Sequence, residues 1–280
     1  MGVPSDPSSW TIFIPLASAL SGAAIGAFGS QFFAARNKER DDLLKEVRSA
    51  NSACTIAYSI TDSFITMKRD IVKPTVDRFT QAKERFELAF KNYIPGVSAP
   101  VDIPFDLQTF TPLRTASSHL QDIVFRGISA PVRAVSAMAI LDRAIAGLHD
   151  FHLARNALCE EFRLKGPKPD AFAYFGIKKG DATDERLASI LRSIDTYTDD
   201  VIFLSKLLGD DLRKYANDLK AKLPKRLKDK APVITSADFS IASDILPDPT
   251  KYEHWQTMFV SIKRSEGLNF WKPQDPSEVA

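Results

Sequence analysis

Residues 183–223, TDERLASILRSIDTYTDDVIFLSKLLGDDLRKYANDLKAKL, carry apolar side chains that recur every three or four positions. This spacing places them on one face of an α-helix. The pattern predicts either a core helix of a bundle or the seam of an oligomer, because the two look alike in a single sequence. Gly209 interrupts the helix and is predicted to weaken it by about 1 kcal/mol relative to alanine. The apolar face comprises Leu187, Leu191, Ile194, Tyr197, Val201, Leu204, Leu208, Leu212, Tyr215 and Leu219.

Helical periodicity also dominates the other long segments after residue 36, without a run of strands or a glycine-rich loop. The predicted fold class is therefore all-α, a multi-helix bundle with long, partly coiled-coil-like helices. The first predicted segment is a membrane-proximal long helix over 36–93 that is kinked near Pro74, followed by a loop over 94–106. A helical bundle is predicted over 107–230, with helices at 107–128, 131–164 and 183–223. A less regular segment over 231–280 is predicted to pack on the bundle.

The N-terminal region contains an uncharged stretch, WTIFIPLASALSGAAIGAFGSQFFAA, at residues 10–35. As a helix these residues would extend about 39 Å, more than the roughly 30 Å hydrocarbon core of a bilayer. The stretch therefore predicts one transmembrane helix. A buried core helix is one alternative. A cleaved signal peptide is another, although it requires a basic region that residues 1–9 lack.

The charges that flank this stretch predict its orientation. Arg36, Lys38 and Arg40 follow it directly, and no cation precedes it. The positive-inside rule places residues 1–9 outside, as a short extracytoplasmic tail, and the bulk of the chain in the cytoplasm. Cys54 and Cys159 are too few for a disulfide framework and fit a reducing compartment.

Small residues recur at four-residue intervals within the predicted span. They are Ser18, Gly22, Gly26 and Ser30, which share one face of a helix. Such a face lets two helix backbones approach closely in lipid. It predicts self-association, with ordinary membrane-helix composition as the alternative.

A basic cluster lies in LKAKLPKRLKDKAP, residues 219–232. Contact with anionic lipid and contact with nucleic acid are two functional interpretations. The third interpretation is a solvated helix end, where cations complement the helix dipole. The net charge of +2 argues against nucleic-acid binding by the whole chain. The cations are Lys220, Lys222, Lys225, Arg226, Lys228 and Lys230.

Candidate residues for chemistry are sparse. His149 and His152 share a helix face, with Cys159 downstream, but no second histidine-bearing motif accompanies them. No nucleophile elbow, phosphate-binding loop or dinucleotide fingerprint occurs in the sequence. We therefore predict no catalytic, cofactor-binding or metal site.

Three functions remain open from the sequence. The first is a single-pass membrane-anchored helical protein that acts by protein–protein interaction, as a scaffold, a sensor or a subunit of a membrane complex. The second is a membrane-perturbing effector whose transmembrane helices oligomerise on a signal. The third is a helical enzyme without a recognisable motif. The predicted partners are the lipid bilayer and either a second copy of the chain or a membrane protein complex.

Overall fold

The computed structural model describes residues 7–94, 102–166 and 169–258, with side chains from Gln31 onward except those of Gln256 and Met258. In these ranges the regular structure is helical and no β-strand occurs, so the predicted all-α bundle is confirmed. The helices are α1 (Pro7–Met67), α2 (Lys73–Lys91), α3 (Ser117–Asp122), α4 (Val132–Leu164), α5 (Ala171–Phe175), α6 (Arg186–Lys222), α7 (Lys225–Lys228) and α8 (Glu253–Met258), with π-helical turns at Lys68–Val72 and Ile123–Gly127 and 3-10 helices at Ser240–Ala242 and Pro249–Tyr252.

Helix α6 is the centre of the bundle and packs on both α1 and α4. Its apolar face is buried as the spacing predicted: only Tyr197 and Tyr215 of the ten positions are half-buried rather than buried. A helix with such a face gains stability by removing it from water, at about 25 cal/mol for each Å² of apolar surface. The interpretation of this face as core is therefore confirmed within this chain.

Two glycines admit tyrosine rings between the long helices. A Cβ atom at Gly209 of α6 would lie 2.5 Å from Cε1 of Tyr58 in α1, and one at Gly147 of α4 would lie 2.5 Å from Cε1 of Tyr197 in α6. Both distances are too short for any side chain larger than hydrogen. Gly209 is therefore a close-packing position. The expectation that it only weakens α6 was wrong, because it left out the ring that fills the space.

The predicted kink near Pro74 corresponds to a π-helical turn. Lys68–Val72 is wound with wider hydrogen-bonded turns, and α2 follows at once with Pro74 in its first turn. Proline has no N–H to donate to the preceding turn, so the helical ladder must change its pattern there. Helices α1 and α2 nevertheless follow each other without an intervening loop.

The helix predicted from residue 107 begins only at Ser117. Residues 102–116, here called the strap, form no regular secondary structure and cross the surface of α4. Side chains of α4 bind the strap's backbone in place of helical partners: Asn156 accepts from the Phe110 N–H and donates to the Phe110 carbonyl, both at 2.8 Å. These tertiary hydrogen bonds satisfy the polar groups that a helix would have paired internally.

Residues 231–258 form short helical turns on the outside of the bundle. Ala242 and Ile245 are buried in the main core. The ring of Tyr252 stacks on Phe203 at 3.8 Å between centroids, and its hydroxyl donates to Asp200 at 2.8 Å. This segment therefore covers α6 around Asp200 and Phe203. Residues 259–280 lie outside the described ranges.

Candidate functional site at the basic end of the bundle

The N-terminal part of α1 projects beyond the bundle. Residues 31–39 are all exposed, and from Gln31 onward the first buried side chain of the helix is Leu44. Phe32 and Phe33 are 62% and 66% exposed, although both are large and apolar. Because nine consecutive residues cover every direction around a helix, this segment has no packing partner on any face among the side chains that the structure describes.

The predicted transmembrane span lies on this projecting part of the chain. In the portion of the chain with described side chains, no helix has both the length and the apolar character needed to cross a membrane. Residues 10–30 of the span fall outside that portion. The proposed self-association residues Ser18, Gly22, Gly26 and Ser30 also fall outside it.

Helices α1 and α6 are antiparallel. Their contacts pair residues of increasing number in α1 with residues of decreasing number in α6. The C-terminal end of α6 therefore points along α1 toward the projecting segment. Four pairs define the register: Glu46 with Tyr215, Tyr58 with Asp210, Thr61 with Ser205, and Lys68 with Asp199.

The basic cluster lies at that C-terminal end. We call residues 219–231 the basic end. Leu219 and Leu223 are buried there against Leu44 and Val47 of α1, which fixes the cluster beside the point where α1 leaves the bundle. Among the six predicted cations, Lys220 is half-buried, and its Nζ donates to the Pro232 carbonyl at 2.8 Å. The exposed cations are Lys222, Lys225, Arg226, Lys228 and Lys230.

Glu46 links three parts of the chain at this end. Its Oε1 accepts a hydrogen bond from the Tyr215 hydroxyl at 2.5 Å and another from the Ser129 N–H at 2.7 Å. Partial burial opposes ionisation of this carboxyl, but these two hydrogen bonds and the charge of Lys222 outweigh it and lower the pKa. Glu46 is therefore a carboxylate at neutral pH that holds α1, α6 and the start of α4 together.

The histidine and cysteine candidates lie in unreactive surroundings. His149 is exposed and His152 is buried, where desolvation lowers its pKa to about 4. Burial also raises the pKa of Cys54 to about 11 and that of Cys159 above its usual value, so both are held as thiols. Within the described ranges, no three histidine, cysteine or acidic side chains are grouped to hold a metal ion.

Arg155 is a buried cation that was not predicted from the sequence. Its side chain is 1% exposed, its Nη1 donates to the Gln108 carbonyl of the strap, and its guanidinium lies 3.9 Å from the centre of the Phe110 ring. Its burial could have been predicted, because Arg155 shares the apolar face of α4 with Leu148 and Cys159 at helical spacing. A cation on such a face requires buried partners, and the strap supplies them.

A cleft of about 480 Å³ opens beside the strap, between α2 and α5. Arg78 closes one side through an ion pair with Asp106 at 2.8 Å. The hydroxyl of Tyr174 accepts from the Asp106 N–H at 2.9 Å on the other. These polar groups are already satisfied by one another. The cleft is therefore the junction at which the strap packs against the helices.

Comparison of the chain with protein-family models, with curated proteins and with solved structures finds no match.

Proposed function

We propose that this protein is a single-pass membrane-anchored helical protein that acts by protein–protein interaction, as a scaffold, a sensor or a subunit of a membrane complex. The observation that carries the proposal is the exposed projection of α1. Residues 31–39 are exposed and include the last five residues of the uncharged stretch at 10–35, and α1 runs through both without a break. A helix of that length and composition gains most by burying its side chains in lipid.

Two further features support the anchor. Phe32 and Phe33 are exposed at the end of the uncharged stretch, where aromatic rings occupy the membrane interface. Arg36 and Lys38 follow on the same exposed segment and favour a cytoplasmic location for the bundle. In this arrangement the bundle stands on the cytoplasmic side and α1 connects it to the bilayer without a flexible linker.

The partner we propose first is a second copy of the chain. The face formed by Ser18, Gly22, Gly26 and Ser30 offers a shallow groove for another helix. Close packing drives helix association in lipid, because the hydrophobic effect does not act between helices there. Self-association in the membrane would then bring two bundles side by side on the cytoplasmic surface.

The test is membrane extraction followed by crosslinking of the full chain in membranes. The wild type is expected to remain in the membrane fraction after a carbonate wash. Gly22→Leu and Gly26→Leu fill the groove and are expected to reduce the crosslinked dimer at least about tenfold, or roughly 1.4 kcal/mol. Leu20→Ile keeps the side-chain volume, lies on the opposite face of the helix and serves as the control.

Each outcome bears on a separate part of the proposal. Release of the wild type by carbonate would refute the anchor. Dimer formation that is equal in both glycine variants and the control would refute the small-residue face while the anchor stands. Depolarisation of cells that express the wild type, absent in the glycine variants, would favour the membrane-perturbing effector instead.

A further inference from the structure

We infer that the basic end of the bundle binds the anionic headgroups of the membrane that holds α1, an inference that rests on the proposed anchor. Positive charge is concentrated there. Residues 219–231 contain six lysines and arginines and one acid, Asp229, whereas the whole chain has a net charge of only +2. The rest of the chain is therefore net negative, and the composition of the basic end suits an anionic surface.

The position of the basic end brings these charges close to the bilayer. Leu223 and Leu227 pack in one cluster with Leu43 and Leu44 of α1. Leu44 lies nine residues beyond Ala35, the last residue of the uncharged stretch, so the rise along α1 is only about 13 Å. That rise is less than two Debye lengths, each of about 8 Å at physiological salt. Because α6 points toward the projecting segment, α7 follows at the membrane side of the cluster.

The exposed cations there keep their charged groups in solvent. None of the five forms an ion pair with any residue that the structure describes. They project from a short helix and its flanking turns, which Leu223 and Leu227 hold against the bundle. A fixed array of unpaired cations attracts anionic lipid without a large loss of conformational entropy on binding.

Exposed apolar side chains accompany the cations at the same end. Ser129 contacts Glu46 of α1, and Phe125 and Val132 on either side of it are 42% and 75% exposed. Val233 follows Pro232, whose carbonyl binds Lys220, and is 88% exposed. Cations combined with exposed apolar side chains are typical of surfaces that lie at a membrane interface, where both parts find a partner.

The experiment uses the full chain inserted into vesicles of phosphatidylcholine alone or of phosphatidylcholine with one-third phosphatidylglycerol. Amide hydrogen exchange is measured over residues 219–231. We expect exchange to be at least about fivefold slower in the anionic vesicles, the factor that a single engaged cation contributes. The difference is expected to disappear at about 1 M salt, where the Debye length falls to roughly 3 Å.

Two matched triple variants identify the residues responsible. Lys225→Glu, Arg226→Glu and Lys228→Glu together are expected to abolish the difference between the two vesicles. The control reverses three exposed cations at the opposite end of the bundle, in α2 and after α5, and is expected to keep the difference: Arg85→Glu, Lys91→Glu and Lys178→Glu.

The outcomes separate this inference from the proposed function. Loss of the protein in a carbonate wash would refute the anchor and this inference together. A protein that stays inserted but shows the same exchange in both vesicles would refute this inference alone. The same exchange in both vesicles, with salt-sensitive protection of residues 219–231 by a DNA duplex, would assign the patch to nucleic acid and also overturn it.

Discussion

Replacing Gly209 with alanine has two opposing effects on the stability of the fold, a gain in helix propensity and a steric clash. In an isolated helix the substitution would stabilise α6 by about 1 kcal/mol, because alanine has the higher helix propensity. In the folded protein the added Cβ would lie 2.5 Å from Cε1 and 2.6 Å from Cδ1 of Tyr58. The ring cannot swing aside freely, since its hydroxyl donates to Asp210 at 2.8 Å and its edge packs on Phe239.

The clash outweighs the propensity gain. Carbon atoms in contact lie about 3.5–4.0 Å apart, so the ring or the helix must move by roughly 1 Å. Overpacking of this kind costs about 1–3 kcal/mol, and an overlap this large falls in the upper part of that range. The expected net effect of Gly209→Ala is therefore a loss of about 1–2 kcal/mol. The measurement is chemical denaturation followed by helical circular dichroism.

A double-mutant cycle with Tyr58→Leu isolates the contact. In the Tyr58→Leu background the space beside residue 209 is free, and Gly209→Ala is expected to stabilise the fold by up to about 1 kcal/mol. The coupling between the two positions should then exceed about 1 kcal/mol. Ser189→Ala at an exposed site of α6 is the control and should change stability by only a few tenths of a kcal/mol. Stabilisation of the wild type by Gly209→Ala would refute the reasoning.

Three further predictions concern the bundle and its histidines. Leu204→Asp is expected to cost more than about 4 kcal/mol, because it places a charge at a buried position of α6; an unchanged melting temperature would contradict this. The pKa of His152 lies near 4 in the folded state, below its usual value of about 6.5. Between these two pH values the unfolded chain therefore binds a proton that the folded chain does not bind. Stability should therefore be full above pH 6.5 and fall by about 1.4 kcal/mol per pH unit as the pH drops toward 4, a dependence that His152→Gln should reduce in denaturation curves at pH 7 and pH 5. The double replacement of His149 and His152 by glutamine should leave the metal content of the purified protein unchanged, and stoichiometric zinc or iron lost in that variant would contradict this.

Helical periodicity alone predicts the helical class of the protein and the inward face of its long helices. The α6 pattern could be interpreted directly, because a continuous apolar stripe must be buried whichever helix it meets. Leu187 and Leu219, at opposite ends of that stripe, are both buried. The irregularity at Pro74 was also predictable, since a missing N–H disturbs any helix that contains it.

The packing partners of those helices, by contrast, depend on contacts between residues that are far apart in the chain. The fit of Tyr58 over Gly209, the strap that replaces a predicted helix, and the burial of Arg155 beneath it each join residues more than forty positions apart. The placement of the basic end beside the exit of α1 depends in the same way on the antiparallel register of α1 and α6. Helical periodicity reports which side of a helix is apolar, because it arises from neighbours within a few turns. It carries no information on the partner, which the packing of distant side chains selects.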